Sequence, residues 1–377
     1  MARISVASGL PDFPWDSLAS AKAKAQAHRD GIVNLSVGTP VDPVADVIRD
    51  ALASVSAEPG YPTTAGTSGL REAAVRALAR RYGVTGIDAG AVLPAIGTKE
   101  MIAWLPALLG LGSGDLVVVP ELAYPTYEVG ALLAGARIMR ADGLNRLGPE
   151  NASLIFVNSP SNPSGRVLPV DHLRKVVAWA RERDAVVVSD ECYLGLTWDA
   201  DAVSILDPRV CDRDHSNLLA VHSLSKTSNL ASYRAGFVTG DPGLVKDLLE
   251  VRKHAGMIVP LPVQAAMTTA LNDDEHEGIQ RERYRSRRSE LRSAVEKAGF
   301  TVEHSEAGLY LWVTRGEACR DTVDWFAEHG ILTAPGEFYG PSGSQHVRIA
   351  LTATDERIHA AAERLARWSA RNSRTCR

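Results

Sequence analysis

The chain has 377 residues, long enough for about two or three domains, and its 45% hydrophobic and 23% charged content is ordinary for a globular protein. A net charge of −4 argues against nucleic acid or an anionic membrane surface as partner. The four cysteines, Cys192, Cys211, Cys319 and Cys376, are scattered with no C-x-x-C pair, which argues against a metal site or a disulfide framework and fits a reduced, cytoplasmic setting. The N-terminal stretch MARISVASGLPDFPWDSL lacks the continuous apolar segment of a secretory signal, and no apolar run reaches the roughly 18 residues of a membrane span.

In chain order, an Ala/Lys-rich helix is expected over 15–28, a short strand over 32–37, a break at Gly38-Thr39-Pro40, and helices over 43–56 and 70–82. From residue 91 the pattern becomes regular. Strands are expected at 91–96, 116–119, 153–157, 185–188, 218–221 and 237–239, with helices at 98–109, 127–134 and 170–183 between them. Thr98 is the expected N-cap of its helix. This alternation predicts an α/β fold with a mostly parallel, seven-stranded type of sheet covered by helices on both faces. After residue 242 the chain reads as helical up to a strand at 309–313, with further short strands near Ile331 and at 346–350, which implies a smaller α+β domain. The expected division is 1–42 and 273–377 for the small domain and 43–272 for the large one. Gly110-Leu111-Gly112-Ser113-Gly114 follows a helix and precedes a strand, the reverse of a dinucleotide-binding turn, so it is a turn. The basic run at 281–292 is expected to be a solvated helix face between domains.

In an open parallel sheet, ligands bind beyond the carboxyl ends of the strands. Reading only those ends gathers a coherent set. Past the strand at 218–221 comes Ser223-Leu224-Ser225-Lys226, with Arg234 eight residues after the lysine. A lysine turned inward is costly unless its charge is lost or paired, and a neutral amine is a nucleophile toward carbonyls. Ser223, Ser225 and Arg234 suit a phosphate, and an aldehyde carrying a phosphate is pyridoxal phosphate. Alone, Ser-x-Ser-Lys fits a solvated surface tetrapeptide equally well, so the other strand ends must decide. Gly97, Thr98 and Lys99 open a helix, where free N–H groups hold an anion. Asp190 stands where it would keep a pyridine nitrogen protonated, Asn162 and Tyr193 suit the ring's phenolic oxygen, and Tyr124 could stack on its face.

These motifs resemble those of the class I/II, fold-type I pyridoxal-phosphate aminotransferases over roughly residues 10–370. The lysine segment resembles S-x-S-K with its arginine, NSPSNPSG the turn N-x-P-x-N-P-[ST]-G, and SDECY the motif D-x-x-Y. The resemblance implies that Tyr61, in YPTTAGTSGLREA, reaches the phosphate of a neighbouring subunit, so that a homodimer shares composite sites. It also implies that Arg348, in HVRIAL, clamps the substrate α-carboxylate, with Gly38 and Asn162 beside it. The chain departs from the family at Ser232, where glycine is frequent and a serine would be strained if φ were positive. LPDFPWDSL, GTPVDP, GLYLW and the GEFYGP segment most resemble actinobacterial N-succinyl-diaminopimelate aminotransferases of lysine biosynthesis. A lyase or synthase on the same fold, or an aminotransferase of other specificity, is the alternative. A ligand-sensing regulator is disfavoured, because the chain opens on the aminotransferase segment rather than on a DNA-binding helix-turn-helix.

Overall fold

Runs rich in valine and leucine form the strands of a seven-stranded sheet in a computed structural model that describes residues 5–148 and 150–375. Cys376 lies outside the described residues, as do the first four residues of the N-terminal stretch. The spatial order of strands is Val92–Ile96, Ala235–Gly240, Leu218–Ser223, Val186–Asp190, Leu154–Asn158, Leu116–Val119 and Arg137–Arg140. The last five are mutually parallel, and only Ala235–Gly240 runs antiparallel to both its neighbours. Side chains alternate between two buried layers: Ile155, Val187 and Ala220 pack into one, and Phe156, Val188 and Leu219 into the other. Burial on both faces explains why these strands read as continuous apolar runs.

The antiparallel strand has a consequence for the site. Its first residues lie opposite the last residues of its neighbours, with Ala235 facing Ile96 and Gly236 facing Ser223. Arg234, just before it, is thereby delivered to the rim where the parallel strands end.

Several elements differ from the expectation. Arg137–Arg140 is an edge strand that was not anticipated; its arginines at both ends hide the strand pattern, and charge is how exposed edges are kept from pairing further. The strands that reach the rim are longer than their apolar runs, so Asn158, Asp190 and Ser223 are the last residues of strands rather than loop residues. The helix Thr98–Leu108 is capped by Gly97 at φ 76°, not by Thr98, which is its first helical residue. The expected strand at 32–37 shrinks to Val33–Asn34.

A second hydrophobic cluster, including Leu35, Leu311, Phe326, Ile349 and Ile358, joins the N-terminal segment to the C-terminal part of the chain. Val33–Asn34 pairs in parallel with Ile331–Leu332, and an antiparallel sheet runs Ala334–Pro335, His346–Ala350, Tyr310–Thr314, Thr301–Glu303. Thr301–Glu303 and Ala334–Pro335 are too short to show a period. The basic run lies on the long helix Glu275–Lys297, but it is not simply a solvated face: Arg287 and Arg288 are buried. Among the described residues, no helix is long and apolar enough to cross a membrane.

Candidate active site

Asp190 ends the central strand of the rim and is buried. Its carboxylate accepts hydrogen bonds from Tyr127 Oη at 2.7 Å and from the Cys192 amide at 3.2 Å. Burial lifts its carboxyl above the usual carboxylate range, against the opposing effect of these bonds. Among the described residues, no Lys, Arg or His forms an ion pair with it. Tyr127 is held in turn by stacking on Phe156 at 4.8 Å, with Tyr124 edge-on to it at 6.0 Å. Asn158, opposite Asp190 in the sheet, donates to the Asp190 carbonyl at 2.9 Å and accepts from the Asn162 amide at 2.7 Å. One side chain thus ties the Asp190 strand end to the turn that carries Asn162.

Lys226 projects from the loop after Ser223, and its amine donates to the Gly38 carbonyl. Burial depresses its proton affinity below the ordinary lysine value, the direction that favours a nucleophilic amine. Around it lies an anion cradle. Ser223 and Ser225 are both buried, and the Ser225 amide donates to Ser223 Oγ at 3.1 Å. Gly97 packs so tightly against the Arg234 guanidinium that a Cβ would overlap it. Arg234 has φ 56°, uncommon for a residue with a side chain, and donates to the Ala231 carbonyl at 2.8 Å. The left-handed residues of this loop are Asn229 and Arg234 and not Ser232, which removes the strain considered for that serine. Thr98 and Lys99 begin the adjoining helix, with Cys192 Sγ donating to Thr98 Oγ1 at 3.3 Å.

Arg348 lies in the strand His346–Ala350 of the second sheet and is only 2% exposed. Its Nη1 donates to Asn162 Oδ1 at 2.9 Å and its Nη2 to the Ser36 carbonyl at 2.8 Å, while Nε has no partner. The guanidinium sits 3.9 Å from the Tyr310 ring centre and 5.0 Å from that of Tyr339. No carboxylate pairs with it among the described residues. Tyr193 Oη and Tyr310 Oη are 3.0 Å apart, and Tyr310 Oη occupies the space a Cβ of Gly38 would need.

Of the residues expected from sequence to form the site, Gly38 is in direct contact with Lys226 and Asn162 with Arg348, and Asp190, Tyr193, Ser223, Ser225 and Arg234 line the same cleft. Tyr61 is 99% exposed and makes no part of the cluster in its own chain. Tyr127, Tyr310 and Tyr339 escaped the sequence reading. Tyr310 and Tyr339 lie in the GLYLW and GEFYGP segments, but nothing in those segments marks either ring as part of the site.

A pyridoxal phosphate group fits this residue set on chemical grounds. The cleft holds cations that lack carboxylates, the half-buried Lys226 and the buried Arg348, beside a buried carboxylate that lacks a cation, Asp190. A group with an aldehyde, a protonatable ring nitrogen and a phosphate supplies the complement of Lys226, of Asp190 and of the Ser223–Ser225–Arg234 cradle.

Comparison with known proteins agrees. The sequence model of the family described as "Aminotransferase class I and II" matches residues 30–365. A "Probable aminotransferase" of Mycobacterium tuberculosis is 68% identical over 364 residues, covering 97% of this chain and 87% of the relative. The 4-dedimethylamino-4-oxo-anhydrotetracycline transaminase of Streptomyces rimosus is 61% identical over 356 residues, covering 94% of this chain and 99% of the relative. An LL-diaminopimelate aminotransferase of Oleidesulfovibrio alaskensis is 30% identical, covering 95% and 96%. Substrate-bound BacF from Bacillus subtilis superimposes with a TM-score of 0.87 at 27% identity, over 98% of each chain. The chain belongs to the class I and II aminotransferases and is a pyridoxal-phosphate-dependent transaminase.

Proposed function

We propose that the enzyme moves an amino group between glutamate and N-succinyl-diaminopimelate's keto acid, in cytoplasmic lysine biosynthesis. Bound pyridoxal phosphate supplies a carbonyl that takes up the amino group and a ring that draws electrons from the substrate Cα. In this reading Lys226 anchors the cofactor and then carries the Cα proton, a task suited to an amine whose proton affinity burial has lowered. Asp190 keeps a proton on the ring nitrogen, and Tyr127 holds the Asp190 carboxylate in place. Tyr193 and the Asn162 amide nitrogen face the phenolic oxygen, and Tyr124 covers the ring. Gly97, Thr98, Lys99, Ser223, Ser225 and Arg234 hold the phosphate. Tyr61 of each protomer reaches the phosphate held by its partner, which requires a homodimer, in line with two-fold closure being the commonest assembly.

The observation that carries the substrate reading is the buried, acid-free Arg348. Its fork holds the substrate α-carboxylate beside Asn162, and Gly38, without a side chain, lets Tyr310 stand next to it. A remote carboxylate or ring must then be sensed elsewhere. The segments that resemble N-succinyl-diaminopimelate aminotransferases favour a long acyclic keto acid. A second reading rests on the 61% identity to a transaminase named for an anhydrotetracycline ketone. It takes a fused-ring ketone with no α-carboxylate for Arg348 to hold.

An acceptor panel with glutamate as donor separates the two, read by formation of 2-oxoglutarate. The proposal expects turnover with the N-succinylated keto acid and little with 4-oxo-anhydrotetracycline compounds. Turnover of the fused-ring ketone alone would overturn it.

A further inference from the structure

Tyr193 and Tyr310 pose an accounting problem. Both are buried, and each has one hydroxyl hydrogen to donate. Their oxygens share a single hydrogen bond at 3.0 Å, and among the described residues neither hydroxyl has a further hydrogen-bond partner. Two hydrogens and one bond leave one O–H unspent in a buried place, where unsatisfied donors are rare. The charged groups beside the pair, Lys226 and Arg348, are themselves donors, and the neighbouring Gly38 carbonyl already accepts from Lys226. The missing acceptor must therefore come with the ligand.

The surroundings decide which hydroxyl gives inward to its partner. The Arg348 guanidinium lies against the Tyr310 ring at 3.9 Å, and a cation on a phenol's π-face strengthens its O–H as a donor. Tyr310 thus donates to Tyr193, and the Tyr193 hydrogen is left for the ligand. The placement of Tyr310 is itself over-determined. Its oxygen fills the room left by Gly38. The loop just before it is bonded to the cofactor-side turn, through Ser305 N to the Ser164 carbonyl at 2.8 Å and Ala307 N to the Gly165 carbonyl at 3.1 Å. Gly308 N donates to the Leu196 carbonyl at 2.7 Å, which joins the same loop to the segment that carries Tyr193.

We propose that Tyr310 is a positioning residue that orients and strengthens the Tyr193 hydroxyl toward the cofactor's phenolic oxygen. This rests on the reading of Lys226 and Tyr193 given above. With Tyr310 donating, the Tyr193 oxygen is already accepting, and its own hydrogen is a stronger donor through cooperativity. Weakening that donor leaves the phenolic oxygen more basic, so the proton shared with the Lys226 nitrogen is held more tightly.

The test is a pH titration of the cofactor's absorbance in the loaded enzyme, for the wild type, Tyr310→Phe, Tyr193→Phe and the double variant. Thermal melting checks that each is folded; the phenylalanines keep the rings and remove only the hydroxyls. Tyr310→Phe should move the titration midpoint upward by about 0.5–1 pH unit, the scale of one hydrogen bond. Tyr193→Phe should move it further, and the double variant should match Tyr193→Phe, because Tyr310 acts through Tyr193. An unmoved midpoint in Tyr310→Phe beside a shifted Tyr193→Phe would overturn this proposal alone, as would shifts that add in the double variant. A wild-type protein that never develops the cofactor's absorbance would instead remove the reading of Lys226, and this proposal with it.

Discussion

Two buried arginines in this molecule are solvated by opposite means. Arg287, on the long helix, is 3% exposed, and all its nitrogens meet carboxylates: Nε donates to Asp355 at 2.6 Å, and Nη1 and Nη2 to Asp42 at 2.8 and 2.7 Å. Arg348 is 2% exposed and has only an amide oxygen, a backbone carbonyl and two aromatic faces. Arg252, fully buried, follows the first pattern, with a two-pronged bond to Glu100 at 3.0 and 3.2 Å. Lys226 follows the second, with the Gly38 carbonyl as its protein partner. A buried charge must be compensated, because isolated ions in a low-dielectric interior are costly. Where the chain supplies the compensating acid, the arginine is structural. Where it supplies none, backbone carbonyls can suffice, as the Asp30, His329 and Gly330 carbonyls do for buried Arg364; in the cleft Arg348 has one such carbonyl and an unpartnered Nε, so a ligand's anion can complete its shell.

The largest expected effect breaks this contrast at its centre. Lys226→Ala removes an acid-free cation and should abolish the cofactor's lysine-bound absorbance. It should cut turnover by about 10⁴-fold, the upper range for losing a positioned proton-transfer group, with the anchoring role lost as well. Melting temperature should hardly fall, since no carboxylate loses its partner. Retained turnover, or borohydride fixing the cofactor to another lysine, would contradict the assignment.

Next in size is Arg348→Lys. It keeps the charge and removes the fork, so it should raise KM for every amino donor and α-keto acceptor alike by roughly 100-fold, about 2.8 kcal/mol. Cofactor binding should be unchanged. A KM loss confined to one substrate would show that Arg348 reads a distal group instead, and the substrate's orientation in the cleft would have to be reversed.

The contrast also explains what the sequence could and could not disclose. Lys226, Asp190 and Asn162 were legible because each follows an apolar run, and in an open sheet the end of a run is an address, while Arg234 was legible from its spacing eight residues after the lysine. Arg348 was legible as a guanidinium between Val347 and Ile349, yet whether an acid sat beside it could not be read, because any such partner would be distant in sequence. Arg287 shows the same blindness from the other side. Asp42 lies 245 residues away, so a run of arginines that reads as a solvated face is partly a buried ion-pair seam. Tyr310 and Tyr339 were hidden because an isolated aromatic reads as core, and only the pairing of Tyr310–Thr314 with His346–Ala350 and the turn Gly336–Tyr339 bring the rings to the guanidinium. The sheet was readable from its central strands, whose two faces are buried, and unreadable at its edge, where Arg137–Arg140 carries charge.

The smallest expected effect belongs to the compensated arginine. Burial raises the Asp42 carboxyl, but bonds from Arg287 and Gln280 outweigh it and leave Asp42 below the usual carboxylate value. A group whose folded value is depressed adds stability above its unfolded value, near 3.9, and loses it as pH falls through the folded value. Asp42→Asn keeps the shape and removes that charge, leaving Arg287 with Asp355, whose side chain is 77% exposed and so screened by solvent. The variant should be less stable by about 1.5 kcal/mol at pH 7, the scale of a hydrogen bond to a charged group. That difference should hold down to about pH 5 and shrink below about pH 4, as the wild-type carboxylate takes up its proton. KM and the cofactor's absorbance should not move. Urea midpoints at pH 7, 5 and 3 measure the first part, and a pH-independent gap would show that Asp42 acts by shape rather than by charge. A raised KM would be the more damaging result, because it would mean that a carboxylate-paired arginine also serves the cleft.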